Sequence, residues 1–223
     1  MSKPTLAYWS IRGRADGARM LLAHLGVDYE DKTYQLGDEE SPNSWAKMKF
    51  SIGMTCPNLP YWKDGDIYHA EFLSVLRTIC RKYKPEYLGR NLKEQDMADA
   101  YCESFYGLMQ AWMGPHFMGA DYKANQAAGD DLVRNFCNLL TQAMGSNKFL
   151  VGAEPTFADF CINWGLRLMK LASSAAVGEF PKVVAYHDAY LALPGIADGN
   201  RAQVAAGRLD MPPVGWQADH MPQ

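Results

Sequence analysis

Apolar residues in the first part of the chain follow strand-like and helix-like patterns in turn. TLAYW (5–9) is a short apolar and aromatic run that predicts a strand, and the residues after it carry apolar side chains at helical spacing. Residues 32–36 (KTYQL) predict a second strand, and residues 57–70 predict a hairpin that turns at Asp64-Gly65. A helix from Glu71 to about Lys82 follows the hairpin. The predicted order is strand, helix, strand, an irregular stretch, then a hairpin and a helix.

The pattern changes after Pro85 and Gly89, which interrupt it. Strand-like alternation ends there, and long helical patterns follow at about 93–118, 124–144, 156–172 and 181–192. Thr156 with Asp159 three residues later is typical of a capping box at a helix N-terminus. We therefore predict an α/β domain followed by an all-α domain, with the boundaries 1–83, a linker at 84–92, and 93–223.

The helix predicted from Glu71 has an unusual beginning. Helices usually begin after Ser, Thr, Asp or Asn, whose side chains accept hydrogen bonds from the free N–H groups of the first turn. The residues here are His69, Ala70, Glu71 and Phe72. Two interpretations stay open: an anion-binding helix N-terminus that has lost its ligand, or a stretch of core that never had one.

Composition limits the classes of function. The chain of 223 residues is long enough for one large domain or two small ones, and 48% of its residues are hydrophobic. A formal net charge of −3 without a run of like charges gives no reason to expect nucleic acid or an anionic membrane as a partner. No apolar stretch approaches the roughly 20 residues of a membrane span, and the first residues lack a signal-peptide core. We expect a cytoplasmic protein with no membrane span and a small ligand.

Metal and disulfide chemistry are not indicated. The five cysteines are scattered and contain no CxxC pair, and the five histidines show no metal-ligand spacing. We therefore predict free thiols and no metal site.

Two features of the first domain could carry chemistry. Tyr8 ends the first predicted strand, just before a turn into a helix, where a phenol can donate a hydrogen bond to an anion such as a thiolate. The alternative is a strand end that packs on the core. Pro57 and Pro60 flank Asn58-Leu59, and a proline leaves neighbouring backbone groups free to pair with an extended peptide. The alternative is an edge proline that only prevents strand pairing.

Four segments of the chain resemble the cytosolic glutathione transferases, and the mu class most: LAYWSIRGRADGARMLLAHLGVDYEDKTYQLGD, SWAKMKF, CPNLPY and PTFADF. The resemblance spans nearly the whole chain and is specific in the first domain and at PTFADF. It implies a thioredoxin-like N-terminal domain that binds glutathione as co-substrate, and a helical-bundle C-terminal domain that contributes a pocket for the electrophile. It also implies a homodimer and leaves a larger assembly open.

The resemblance implies a role for individual residues. Tyr8 would hold glutathione as the thiolate that attacks a small hydrophobic electrophile, the chemistry of detoxification. The implied glutathione contacts are Trp9, Arg14, Trp45, Lys49, Asn58, Leu59, a cis Pro60, Glu71 and Phe72. The implied electrophile pocket contains Ile11, Met113 and Phe117.

Several positions depart from the mu-class pattern. Phe72 replaces a serine that holds the γ-glutamyl carboxylate, Pro42 replaces an arginine, and Gly107 falls near an aspartate that the neighbouring subunit supplies. Phe117 replaces a second catalytic tyrosine, and Cys56 replaces an aromatic side chain that inserts into the partner subunit. Two hypotheses follow. The chain is an active transferase, or it is a weakly active or inactive relative with a structural or scaffolding role.

Overall fold

The first half of the chain folds around a four-stranded sheet. The computed structural model describes residues 3–220. The strands are β1 (Thr5–Trp9), β2 (Glu30–Tyr34), β3 (Tyr61–Asp64) and β4 (Ile67–Ala70), in the spatial order β2-β1-β3-β4. β1 and β2 are parallel, whereas β3 is antiparallel to both β1 and β4.

The parallel pair is joined by a helix, as the sequence predicts. Helix α1 (Ala15–His24) crosses from β1 to β2, and Ala15, Ala18, Leu21 and Leu22 are buried on it. The short helix α2 (Trp45–Met48) lies in the stretch predicted to be irregular. Helix α3 (Phe72–Tyr83) follows the hairpin.

The second strand begins earlier than predicted, at residue 30 rather than 32. The reason is its register with β1, in which Thr5 pairs with Glu30 and Trp9 with Tyr34. β1 is only five residues long, so its partner ends at Tyr34 and leaves Leu36 exposed. The hairpin is also shorter than predicted, because residues 57–60 lie outside the ladder.

The second half is helical. A 3₁₀ turn (Pro85–Leu88) leads to helices α4 (Leu92–Met113), α5 (Gln126–Met144), α6 (Phe157–Ala172), α7 (Ser174–Gly178), α8 (Pro181–Leu191), α9 (Ile196–Ala205) and α10 (Trp216–Asp219). The predicted helix 93–118 changes at Gly114 into a π-helical turn that ends at Met118. Pro115 in that turn has no N–H to continue the α-helical pattern. The capping box at Thr156 and Asp159 is confirmed.

Helix α9 was not predicted. Only Ile196, Gly199 and Gln203 are buried along it, so its sequence shows little apolar periodicity. It packs against α1. A Cβ at Gly199 would lie 3.0 Å from the Ala23 Cβ, so glycine permits this close approach.

The core consists of two clusters of buried side chains. The larger joins the two halves, since it includes Leu6, Leu21 and Trp62 from the first half and most of α6. The smaller lies beneath one end of the sheet and contains Tyr8 and Trp45. Within residues 3–220, no helix combines the length and apolar character that a membrane crossing requires.

Candidate active site

Tyr8 lies in β1, and its side chain points toward the N-terminus of α1. Its hydroxyl accepts a hydrogen bond from the backbone N–H of Arg14, at an N···O distance of 3.3 Å. The residue is 7% exposed. Gly13 has a φ of +43°, and a Cβ there would lie 2.9 Å from the Tyr8 hydroxyl, so glycine lets the chain pass over the phenol. Since the hydroxyl accepts from Arg14, its own proton stays available to a ligand.

The electrostatics of Tyr8 keep it protonated near neutral pH. Burial raises the pKa of its phenol above the ordinary value, while the Arg14 N–H and the charges of Arg14 and Arg19 oppose part of that rise. A phenol in this state is a hydrogen-bond donor. It suits an anionic ligand atom.

Arg14 connects the site to the helical domain. Its guanidinium Nη2 donates to Oε1 of Gln110 on α4, at 2.8 Å. Tyr106, one turn earlier on α4, lies near enough that the charges of Arg14 and Glu71 act on its phenol, whose pKa burial raises. The sequence did not single out Gln110 or Tyr106, because nothing local shows which side of α4 faces α1.

Two buried arginines hold the loop between β1 and α1. Arg19, which has no exposed side-chain surface, donates from Nη1 to the carbonyls of Ile11 and Arg12 at 2.8 and 3.1 Å. Its Nε pairs with Asp31 on β2 at 3.0 Å. Arg12 pairs with Asp16 one turn along the chain, also at 3.0 Å. These contacts position the turn that carries Gly13 and Arg14.

The chain after α9 covers the same loop. The N–H groups of Arg12 and Gly13 donate to the carbonyls of Leu209 and Asp210, each at 2.8 Å. Leu209 packs on the cluster that contains Tyr8 and Ile11. No signal in the sequence near residue 209 indicates this contact.

Several residues implied by the family resemblance meet in the smaller cluster. Tyr8, Ile11, Trp45 and Leu59 are all buried there, and Trp9 packs at its edge. The Trp45 ring packs against aromatic rings of β2 and β3, which fixes the start of α2 relative to the sheet. Lys49 follows α2 directly, and its ammonium lies 5.0 Å from the centre of the Phe50 ring.

The segment before β3 presents backbone groups beside this cluster. The Leu59-Pro60 peptide bond is cis, as the resemblance implies. The Leu59 N–H donates to Oδ1 of the Asn58 side chain at 2.9 Å, and Nδ2 of Asn58 donates to Oε1 of Glu71 at 2.7 Å. A peptide that pairs with the Leu59 N–H must therefore displace the Asn58 amide.

Glu71 marks the start of α3. Its φ of 71° makes it the one non-glycine residue with positive φ in the part of the chain that the structure describes. Such a conformation costs about 1–3 kcal/mol and is common at ligand sites. Within residues 3–220, no side chain caps the first N–H groups of α3. These donors are free for an anion.

Phe72 belongs to the core that joins the two domains. It is 3% exposed, and its ring centre lies 5.4 Å from that of Trp164 and 6.0 Å from that of Tyr106. The Phe72 side chain therefore agrees with the interpretation of this segment as core. The backbone at residues 71–72 forms an uncapped helix N-terminus, while the Phe72 side chain packs in the core.

The structure does not place Met113 and Phe117 with Ile11. Phe117 has no exposed surface and packs between Trp112 and Trp216, with ring centres 5.5 and 5.2 Å away. Met113 is 5% exposed and belongs to the same larger cluster. The expectation that these two side chains line an open pocket is not met in this conformation, because α10 brings Trp216 against Phe117.

The other departures lie at the surface. Pro42, Cys56 and Gly107 are all exposed. Among residues 3–220, no three His, Cys, Asp or Glu side chains lie close enough together to hold a metal ion.

Comparison with known proteins agrees with this architecture. Residues 4–71 match the glutathione S-transferase N-terminal domain, and residues 108–198 match the glutathione S-transferase C-terminal domain. A glutathione S-transferase of Tyrophagus putrescentiae is 33% identical over 210 residues, covering 91% of each chain. Glutathione S-transferase Mu 1 of Oryctolagus cuniculus is 29% identical over 203 residues, covering 86% of this chain and 88% of that one.

A solved structure shows the same fold. The Pi-class glutathione S-transferase of Onchocerca volvulus superposes with a TM-score of 0.81 at 19% identity, over 93% of this chain and 96% of that one. The fold is that of a two-domain transferase with a thioredoxin-like first domain. The chain belongs to the glutathione S-transferase family.

Proposed function

We propose that this protein joins the sulfur of glutathione to hydrophobic electrophiles, with Tyr8 as the donor that stabilises the thiolate. The observation that carries the proposal is the orientation of the Tyr8 hydroxyl. It accepts from the Arg14 N–H at 3.3 Å and so keeps its proton for the ligand sulfur. The glutathione thiol releases its proton to solvent, and the thiolate then forms a sulfur–carbon bond with the electrophile as the leaving group departs.

The magnitudes are sufficient for this role. Lowering the thiol pKa from about 8.5 by about two units requires about 2.7 kcal/mol of differential stabilisation. A hydrogen bond to a charged group contributes about 1.5–3 kcal/mol. The nearby N-terminus of α1 adds about 0.3–1 kcal/mol. Tyr8 and the start of α1 together supply what the chemistry needs.

The proposal also assigns the remaining contacts of glutathione. Its cysteinyl backbone pairs with Leu59, before the cis Pro60, once the Asn58 amide has moved. Its γ-glutamyl carboxylate binds the open N-terminus of α3 at Phe72, through the backbone, and its amino group binds Glu71. The support is the set of uncapped N–H groups at the start of α3 and the exposed Glu71 carboxylate.

Five more residues complete the proposed site. Trp9, Trp45 and Lys49 hold the glycyl and γ-glutamyl ends, and Arg14 lies beside the sulfur. Ile11, which packs with Tyr8, borders the electrophile.

The test is Tyr8→Phe, with Tyr83→Phe as the matched control because Tyr83 packs on Trp62 outside the site. Tyr8→Phe should fold normally and conjugate an aryl halide one to three orders of magnitude more slowly, a range expected for loss of one such donor. The bound thiol should titrate at a higher pH. Equal turnover in wild type and Tyr8→Phe would remove Tyr8 from the catalytic role.

A scaffolding role is the second candidate. The observations that favour it are the core position of Phe72 and the Asn58 side chain that already occupies the Leu59 N–H. Calorimetric titration with glutathione separates the two candidates. A transferase binds glutathione measurably, whereas a pure scaffold gives no binding heat.

The proposal includes a homodimer in the cytoplasm, and leaves a larger assembly open. Support for the dimer comes from an apolar groove of about 370 Å³ between α4 and α5, lined by Tyr101, Ser104, Phe105, Leu108, Leu139, Gln142 and Ala143. In the mu-class arrangement a partner's side chain fills such a groove. Sedimentation of the purified protein and fractionation of cells test the two statements.

A further inference from the structure

Arg14 makes two hydrogen bonds, one from its backbone and one from its side chain. Its backbone N–H donates to the Tyr8 hydroxyl at 3.3 Å, and its guanidinium Nη2 donates to Gln110 Oε1 at 2.8 Å. Tyr8 belongs to the sheet of the first domain and Gln110 to α4 of the helical domain. One residue therefore ties the phenol to the other domain.

The side-chain amide of Gln110 is only partly satisfied by hydrogen bonds. Its Nε2 is buried and has no hydrogen-bond partner within residues 3–220. A buried donor without a partner destabilises a fold, and an apolar side chain of the same length would avoid that penalty. The hydrogen bond that the Gln110 amide makes is the one that its oxygen accepts from Arg14.

The Gln110 side chain that accepts this hydrogen bond carries no net charge. A carboxylate would hold the guanidinium at least as firmly, but it would also cancel most of the positive charge. The charges of Arg14 and Arg19 are the two that favour the ionised form of Tyr8. A neutral amide fixes the Arg14 side chain and leaves its charge available to the phenol and to an anion beside it.

We propose that Gln110 is a positioning residue that acts through Arg14, fixing the guanidinium beside Tyr8 without neutralising it. The helical domain then contributes to thiolate stabilisation. The inference rests on the proposed role of Tyr8.

Two substitutions separate the contributions of the oxygen and of its neutrality. Gln110→Met keeps the length and removes both the acceptor and the buried amide. Gln110→Glu keeps the acceptor and adds a negative charge. Gln95→Ala is the matched control, because Gln95 lies on the same helix and donates instead to the carbonyl of Gly89.

The first readout needs no glutathione. Tyrosine titration of the free protein, taken as the difference from Tyr8→Phe in the same background, gives the pKa of Tyr8. Gln110→Glu should raise this pKa by about half to one unit, as a neutralising charge near an ionisable group does. Gln95→Ala should leave it unchanged.

The second readouts are stability and the bound thiol. Gln110→Met should melt at or above the wild-type temperature, yet the pKa of the bound glutathione thiol should rise and kcat should fall about three- to tenfold. A residue with a purely structural role would instead lower the melting temperature and leave the thiol pKa unchanged.

An unchanged Tyr8 pKa in Gln110→Glu would overturn the inference, as would an equal shift in Gln95→Ala. Failure of the proposed function looks different. If Tyr8→Phe conjugates as fast as wild type, the role of Tyr8 in catalysis is wrong, but the titration of the free protein still decides whether Gln110 acts on Tyr8 through Arg14.

Discussion

Replacing Phe72 by serine distinguishes a weakened anion site from a rebuilt core. Serine would place a hydroxyl at the N-terminus of α3, where the mu-class pattern has one. It would also remove a ring that is 3% exposed and packs edge-on against Trp164. The ring fills the space beside Gly17, where an added Cβ would lie 2.9 Å from its Cζ. The structure therefore predicts a loss of packing.

The expected size of that loss follows from the burial. Truncating a buried phenylalanine to a small residue costs about 3–5 kcal/mol, and a buried hydroxyl without a partner adds to it. For a chain of this length, each kcal/mol lowers the melting temperature by about 2–4 °C. Phe72→Ser should therefore melt about 6–20 °C below wild type and gain no affinity for glutathione.

The assay combines thermal melting at one protein concentration with calorimetric titration of glutathione. Phe50→Ser is the matched control, since it makes the same chemical change at a side chain that is 77% exposed. Its stability should change by no more than about 0.5 kcal/mol. An unchanged melting temperature together with roughly tenfold tighter glutathione binding in Phe72→Ser would refute the reasoning. The new hydroxyl would then strengthen ligand binding, and loss of the ring would not lower the stability of the fold.

Two further predictions concern assembly and pH. Cys56→Phe should tighten self-association, because it restores an apolar anchor at an exposed position. Sedimentation at low micromolar concentration measures this change. No shift in sedimentation would mean that the subunits pair differently. Burial lowers the pKa of His187 to about 4, with the charges of Lys170 and Arg167 adding to the effect. Unfolded histidine titrates near 6.5, so the unfolded chain binds the proton first, and stability should fall by roughly 3 kcal/mol as the pH drops from about 6.5 to 4. His187→Gln should lose that part of the pH dependence in denaturant titrations, and an identical pH profile would contradict it.

Local signals in the sequence predicted the elements that local forces determine. The capping box at Thr156 is one such element, because Asp159 accepts a hydrogen bond from the Thr156 N–H, at 2.7 Å, within a single helical turn. The first strand and the helix after it are others. Helix α9 escaped prediction because the burial of Ile196 and Gly199 depends on α1, far away in the sequence.

Side-chain environments were harder to predict than elements. The family resemblance led us to expect Tyr8, Trp45 and Leu59 in one place, and the structure puts them in one cluster. It could not show that Phe117 lies beneath Trp216, or that Phe72 meets Trp164. Both contacts join segments whose relative position is set by tertiary packing. Such packing produces no hydrophobic periodicity that could be recognised in the sequence.

The contacts between the β1–α1 loop and the chain after α9 affect the order in which the protein folds during synthesis. Every residue proposed to touch glutathione lies within the first 72 positions, so all of them leave the ribosome early. The carbonyls that pair with Arg12 and Gly13 belong to Leu209 and Asp210, and Arg208 pairs with Asp31 at 2.6 Å. During synthesis, the loop beside Tyr8 lacks these partners until Leu209 and Asp210 have emerged. The first domain can then assemble its sheet early, while its binding loop reaches its final form only after the segment that follows α9 has docked against it.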